Sequence, residues 1–234
     1  MSNGLQITLD FLRELRANND RNWFKAHESH YKTARAAYER LINDLIIAFD
    51  AAKLEDFSGV TVKDCLFRIN RDIRFSKDKS PYNSHMGAVV ARGGRKPQGR
   101  SYYIHIQPDG ESFVAGGEYQ PPSELLDRIR RSIAFDDRPL RKILAEPDFK
   151  RYFGELEGES LKTAPQGYPK DHPAIDLLRH KQFMVIHKLS DAQVVATDLV
   201  DHILDVSRAM KPFLIWLEDV PAAIEGLLER FRER

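Results

Sequence analysis

Residues 101–115, SYYIHIQPDGESFVA, read as two strands joined by a tight turn. Apolar and polar residues alternate through Ser101–Gln107 and resume at Ser112–Ala115. Between them Asp109-Gly110 supplies the pair that accepts positive φ in a hairpin turn. An antiparallel pair at mid-chain needs neighbours that bury one of its faces, and the flanks supply them. Upstream, Met86–Ala91 is a second short apolar run, separated from the hairpin by the flexible basic loop GGRKPQG. From Val60 the apolar period is already near 2, so Val60, Val62, Leu66, Phe67 and Ile69 are expected to form a first strand. Phe183–Lys188 is expected to be the last.

Outside this region the period is helical. Thr8 is expected to cap a helix carrying Leu9, Phe11, Leu12 and Leu15, which Asn18-Asn19 ends. Asp20 should cap the next, with Trp23, Phe24, Tyr31, Ala34, Tyr38, Leu41, Leu45 and Phe49 along it. Pro121-Pro122 opens a helix through Leu125, Leu126, Ile129 and Ile133, and short helices are expected at Arg138–Ala145, Asp148–Phe153 and Ala174–Arg179. Gly154–Lys170 reads as a long loop. Ser190-Asp191 should start helical sequence to about Met210, followed after Pro212 by a further buried turn or helix in FLIWLEDV and an amphipathic tail helix from Ala222. The expectation is a single α+β domain over 1–234. Its N-terminal helices lie at about 8–53, its sheet-rich core at about 60–118, and helices with a late strand at about 121–234. The sheet should be mostly antiparallel, covered by helices from both ends.

Charge singles out one stretch, residues 68–82, RINRDIRFSKDKSPY. The chain carries a net charge of +1, yet Lys63–Arg100 holds ten Lys and Arg against three Asp, so the remainder is net acidic. A local positive field concentrates anions. If Leu66–Phe75 is extended, Phe67, Ile69, Ile73 and Phe75 share one face and Arg68, Asn70, Asp72 and Arg74 the other. Arg71 then falls among apolar residues and needs a bulge or a partner. Arg68 and Arg74, braced by Asp72, make a fork suited to a phosphate or carboxylate. Arg71, Lys77 and Lys79 complete the candidate anion-binding set, with Ser80, Tyr82 and Tyr103 in support. Gly116 and Gly117, ahead of a helix start, could offer backbone N–H groups to the same anion. His85 and His105 are candidate acid–base groups, although a packed structural role fits His105 as well.

Several chemistries lack their motifs. There is no HExxH or paired CxxC for a metal, no GxSxG elbow, and no Walker loop or GxGxxG for a nucleotide. No metal and no cofactor is therefore expected. The one cysteine, Cys65, excludes an intrachain disulfide, suits a reducing cytosol, and reads as a buried structural thiol. The start, MSNGLQITLD, lacks a secretory pattern and no apolar run approaches a membrane span, so a cytoplasmic location with no membrane partner is expected.

FLxxLxxNNDRNWF at 11–24, FRINRDIRFSKDKSPYNSH at 67–85, GGEYQPP at 116–122 and PQGYPKDHPAIDLLRHKQF at 165–183 together resemble the DUF2461 family. The middle motif is the specific one, and the resemblance covers nearly the whole chain. It implies a mostly bacterial, single-domain α+β protein. It implies no activity, because none is established for the family.

Three functions fit the basic stretch. One is a pocket for a small phosphorylated or carboxylated anion, with or without catalysis. Another is a nucleic-acid module that adds Arg92, Arg95, Lys96 and Arg100 to the motif and stacks bases on Phe75, Tyr82, Tyr102 or Tyr103. The last is an interaction protein whose motif is an internal ion-pair network. The near-neutral whole ranks a small anion above a long polyanion.

Overall fold

The computed structural model describes residues 4–97 and 99–232, and side chains as far as 220. The fold class is α+β. In chain order the described elements are α1 (Gln6–Ala17), α2 (Arg21–Ala26), α3 (Glu28–Ala51), α4 (Val62–Cys65), β1 (Met86–Ala91), β2 (Ser101–Ile106), β3 (Ser112–Glu118), α5 (Ser123–Phe135), α6 (Arg138–Ala145), α7 (Pro147–Tyr152), α8 (Ile175–Leu178), β4 (Phe183–Leu189), α9 (Asp191–Val194) and α10 (Leu199–Arg232). The sheet has the order β1-β2-β3-β4, with β1 antiparallel to β2 and Val89 opposite Tyr103. Residues gather into two compact units, each discontinuous in sequence: 1–114 with 187–207, and 115–186 with 208–234.

In the first unit, α1 buries Leu9, Phe11, Leu12 and Leu15, as their spacing requires. Thr8 is not its cap. It lies one turn inside the helix, where its buried hydroxyl donates to Ala34 O of α3 at 2.9 Å. Asp20 does cap α2, accepting from Asn22 N at 2.8 Å and Trp23 N at 3.0 Å. The long second helix is divided at His27 into α2 and α3. α3 packs on β1 and β2 and is pinned by Tyr38, whose buried hydroxyl donates to Ile104 O at 2.9 Å. Asp109 and Gly110 form the expected turn with φ of 67° and 75°. Their N–H groups donate to the Asp191 carboxylate at 3.0 and 2.9 Å.

The strand expected from Val60 to Ile69 is not there. Thr61 and Asp64 form a capping box, with Thr61 N donating to Asp64 Oδ2 at 3.1 Å, and this closes the single turn α4. Local capping therefore overrides the β-branched alternation. Beyond it the chain is an irregular antiparallel pair. Leu66 bridges Ala88, Phe67 N donates to Gly87 O at 3.0 Å, Asn70 bridges Tyr82, and Arg71 N donates to Pro81 O at 2.9 Å. Residues 72–80 are the loop between. The single apolar face does not form: Ile69 is 6% exposed, whereas Phe67 is 45% and Phe75 95% exposed. Cys65 is fully buried, and burial pushes its thiol up to about 11, which suits an inert packing residue.

In the second unit, Gly116 and Gly117 lie inside β3 rather than in a turn before a helix. Gly117 has φ 110°, and a Cβ there would meet Phe183 O at 2.3 Å, so it is a close-packing position. Arg141 grips Asp176 with two hydrogen bonds of 3.0 and 2.8 Å, tying α6 to α8. The break expected at Pro212 is absent, and α10 runs through it. Phe213, Leu214 and Leu217, packed after the proline, hold the helix in spite of the lost N–H donor. The amphipathic character expected from Ala222 lies outside the described side chains.

Candidate functional site

A pocket of about 460 Å³ opens in the first unit. Tyr31, Arg35 and Tyr38 reach it from α3, Leu66–Asp72 and Asn83 with His85–Gly87 from the two arms of the irregular pair, and Tyr103 from β2. Gly87 gives it depth. A Cβ at that position would lie 2.7 Å from the Tyr103 hydroxyl, so the missing side chain is what admits the ring. A second cavity, about 390 Å³, is lined by Arg16, Asn19, Asp78, Ser80, Tyr82 and Ser84. Arg71, Asn83 and His85 line both.

The N-terminal motif holds this construction in place. The Asn19 side chain donates to Tyr82 O at 3.0 Å and accepts from Tyr82 N at 3.1 Å, standing in for a neighbouring strand. The Tyr82 ring stacks on Phe24 with centroids 4.0 Å apart and planes at 15°. Positions 11–24 and 67–85 are thus two halves of one support.

The cations divide sharply. Arg71 is bound to Asp78, to Ser80 O at 3.2 Å and to Ser76 Oγ at 3.4 Å. It is the brace of the loop, which answers the need for a partner read from its place among apolar residues. Asp78 falls to about 2, held down first by the Ser80 N–H and hydroxyl and then by Arg71. Arg74 grips Asp72 through bonds of 3.0 and 2.6 Å and lines neither cavity. Lys79 donates to Ile73 O at 3.0 Å, and neither it nor Lys77 lines the large pocket. Arg35, not foreseen from sequence, lines the pocket and donates to Tyr31 OH at 3.0 Å and Glu39 at 2.8 Å. Arg68 is the exception. It lines the pocket, and its guanidinium makes no hydrogen bond and no ion pair among the described residues.

The two histidines have different tasks. His105 is 7% exposed, and both ring nitrogens are engaged, Nδ1 with Tyr103 OH at 3.1 Å and Nε2 with Gln107 Oε1 at 2.9 Å. The Gln107 amide nitrogen is committed to Glu111, so Gln107 Oε1 accepts from His105 and the Tyr103 hydroxyl donates to it. His105 is sandwiched between Phe113, at 4.4 Å, and His85, at 4.3 Å. It supports the site from behind. His85 faces both cavities, and its ring nitrogens have no hydrogen-bond partner among the described residues. Burial, then His105 and Arg71, push it down to about 4, so it is neutral near pH 7.

Of the residues expected at an anion site, Arg68, Arg71, Asp72 and Tyr103 meet in the large pocket, with His85. Ser80 and Tyr82 belong to the smaller cavity, and Gly116 and Gly117 to the other unit. Arg35 and Asn83 carry no role in the sequence reading, which has Tyr31 and Asn19 only as helix residues and Asn70 only on the polar face with Arg68. Tyr31 and Arg35 carried one signal, a four-residue spacing that sets them on one side of α3. No group of three or more His, Cys, Asp or Glu among the described residues is placed to hold a metal ion, and no helix there is long and apolar enough to cross a membrane.

One family model, described as conserved hypothetical protein (DUF2461), matches residues 7–216. Comparisons with curated proteins and with solved structures gave no match.

Proposed function

Because the chain belongs to the DUF2461 family, whose description carries no activity, we propose from the pocket itself that the protein binds a small phosphorylated or carboxylated anion. One observation carries this reading: Arg68 lines a pocket of about 460 Å³ and makes no ion pair among the described residues, while Arg35, Arg71 and Arg74 each hold a carboxylate directly. An unpaired guanidinium offers a ready fork to a carboxylate or phosphate. Tyr31, Asn70, Asn83 and Tyr103 add hydrogen-bonding groups, and the volume falls in the range of small-molecule sites. The lone buried cysteine supports a cytoplasmic setting.

The test is thermal unfolding in a panel of phosphate, phosphorylated metabolites and carboxylates. A ligand at a hundred times its Kd stabilises by about 2.7 kcal/mol, which raises Tm by roughly 5–10 °C in a chain of this size. Arg68→Ala should abolish the rise. A panel without any shift would discard the reading.

A nucleic-acid reading keeps one specific support. Phe75 is 95% exposed at the tip of the basic loop, with the Arg74 guanidinium 5.8 Å over its ring, a combination on which a base can stack. The ion-pair reading describes Arg71 and Arg74 well, but not Arg68.

A further inference from the structure

We propose that the anion of this pocket is a dianion of the phosphate-monoester class, and that His85 takes up a proton as it enters. The inference rests on the anion pocket above and goes on to its charge. Arg35 is paired with Glu39, Arg71 with Asp78 and Arg74 with Asp72, which leaves Arg68 as the one arginine lining the cavity that makes no ion pair among the described residues, the Asp72 carboxylate acting on it only through space. One cation matches a monoanion. A second positive charge is needed for a dianion, and His85 is the group placed to supply it.

The geometry fits that role. His85 is held by its ring stack on His105, 4.3 Å away at 28°, and not by its nitrogens, which remain open to a ligand. His105 cannot substitute, since Tyr103 and Gln107 occupy both of its nitrogens. Around His85 the charged and titratable groups are Arg68, Arg71 and Asp72 from one arm, Tyr82 from the other, Asp78 from the loop, Tyr103 and His105 from β2, Tyr31, Arg35 and Tyr38 from α3, and Arg16 from α1. In the free protein this balance, with burial, keeps the ring neutral. A double negative charge within a few ångströms reverses the sign of the local field, and in a half-buried site that attraction is little screened. The proton comes from solvent to the ring nitrogen that meets the ligand, which then donates a charge-assisted hydrogen bond.

Sulfate and nitrate are suitable probes, because neither titrates between pH 5 and 7 and they differ in charge. Calorimetric titration of the native chain should show sulfate binding that strengthens on the order of tenfold per pH unit as pH falls. It should also show uptake approaching one proton, read from two buffers of different ionisation enthalpy. Nitrate should bind at least about tenfold more weakly. His85→Gln should bind sulfate with no dependence on pH in this window, and phenyl phosphate should compete with sulfate for the native chain. Sulfate binding without proton uptake, or equal affinity for nitrate, overturns this inference and leaves the anion pocket standing. Failure of the native chain to bind either anion, or undiminished binding by Arg68→Ala, overturns both.

Discussion

Arg68 and His85 stand 17 positions apart in sequence and line the same pocket, but they differ in how visible they were. Arg68 could be named from the density of basic residues around it. That it would make no ion pair among the described residues could not, because Arg71 and Arg74 find Asp78 and Asp72 only through the path of the loop. His85 is legible as a titratable residue, but its open nitrogens follow from a stack across β2 that no local pattern encodes. Its environment has a stability consequence. The folded-state value of about 4 lies below the ordinary histidine value of 6.5, so the folded chain binds its proton less readily than the unfolded chain does. The neutral ring costs nothing above pH 6.5, and stability is lost as pH falls from there through about 4. The ceiling is about 3 kcal/mol, reduced by the partial exposure of the ring. His85→Gln should therefore flatten the fall of Tm between pH 6.5 and 4, and an unaltered pH profile would show that the ring pays no such penalty.

At the scale of elements, the hairpin and β1 were readable because alternation and Asp109-Gly110 agree with each other. The segment before them was misread, because Thr61 and Asp64 close a helical turn with their own side chains. Pro212 misled for the opposite reason. Its cost of about 3 kcal/mol is spread against the burial of Met210, Phe213, Leu214 and Leu217, each worth about 2 kcal/mol. The clamp between α1–α2 and the loop base should be measurable. Asn19→Ala leaves Tyr82 N–H and C=O without their partner, and a loss of about 1–3 kcal/mol in urea unfolding is expected. Amide exchange should rise at the base of the loop, near Arg71 and Asn83. In the other unit, Gly117→Ala forces a Cβ against Phe183 O from a φ of 110°, and a decrease of at least about 2 kcal/mol is expected by the same measurement.

For the whole molecule, charge is the property that composition discloses best. A net charge of +1, with the basic excess confined to Lys63–Arg100, gives a long polyanion few places to lie. Oligonucleotide binding followed by fluorescence anisotropy should accordingly be negligible at 150 mM salt, a condition chosen because non-specific contacts are screened over about 8 Å there. A submicromolar Kd that Phe75→Ala weakens would instead place the loop tip first. The pocket belongs wholly to one of the two compact units, the one that contains the NNDRNWF motif. Its location near the basic stretch was therefore recoverable from sequence, whereas the contribution of α3 depended on tertiary packing.

Gly87 offers a way to ask what the cavity does in a living cell. A single methyl group there collides with the Tyr103 hydroxyl, so Gly87→Ala must move the ring that forms part of the cavity wall. Every charged side chain keeps its identity, and the φ of Gly87 lies outside the left-handed region, so alanine adds no backbone strain of its own. Such an allele reshapes the cavity wall and leaves the rest of the chain as it is. Compared in growth with a full deletion, it separates a phenotype due to the chamber from one due to the rest of the chain.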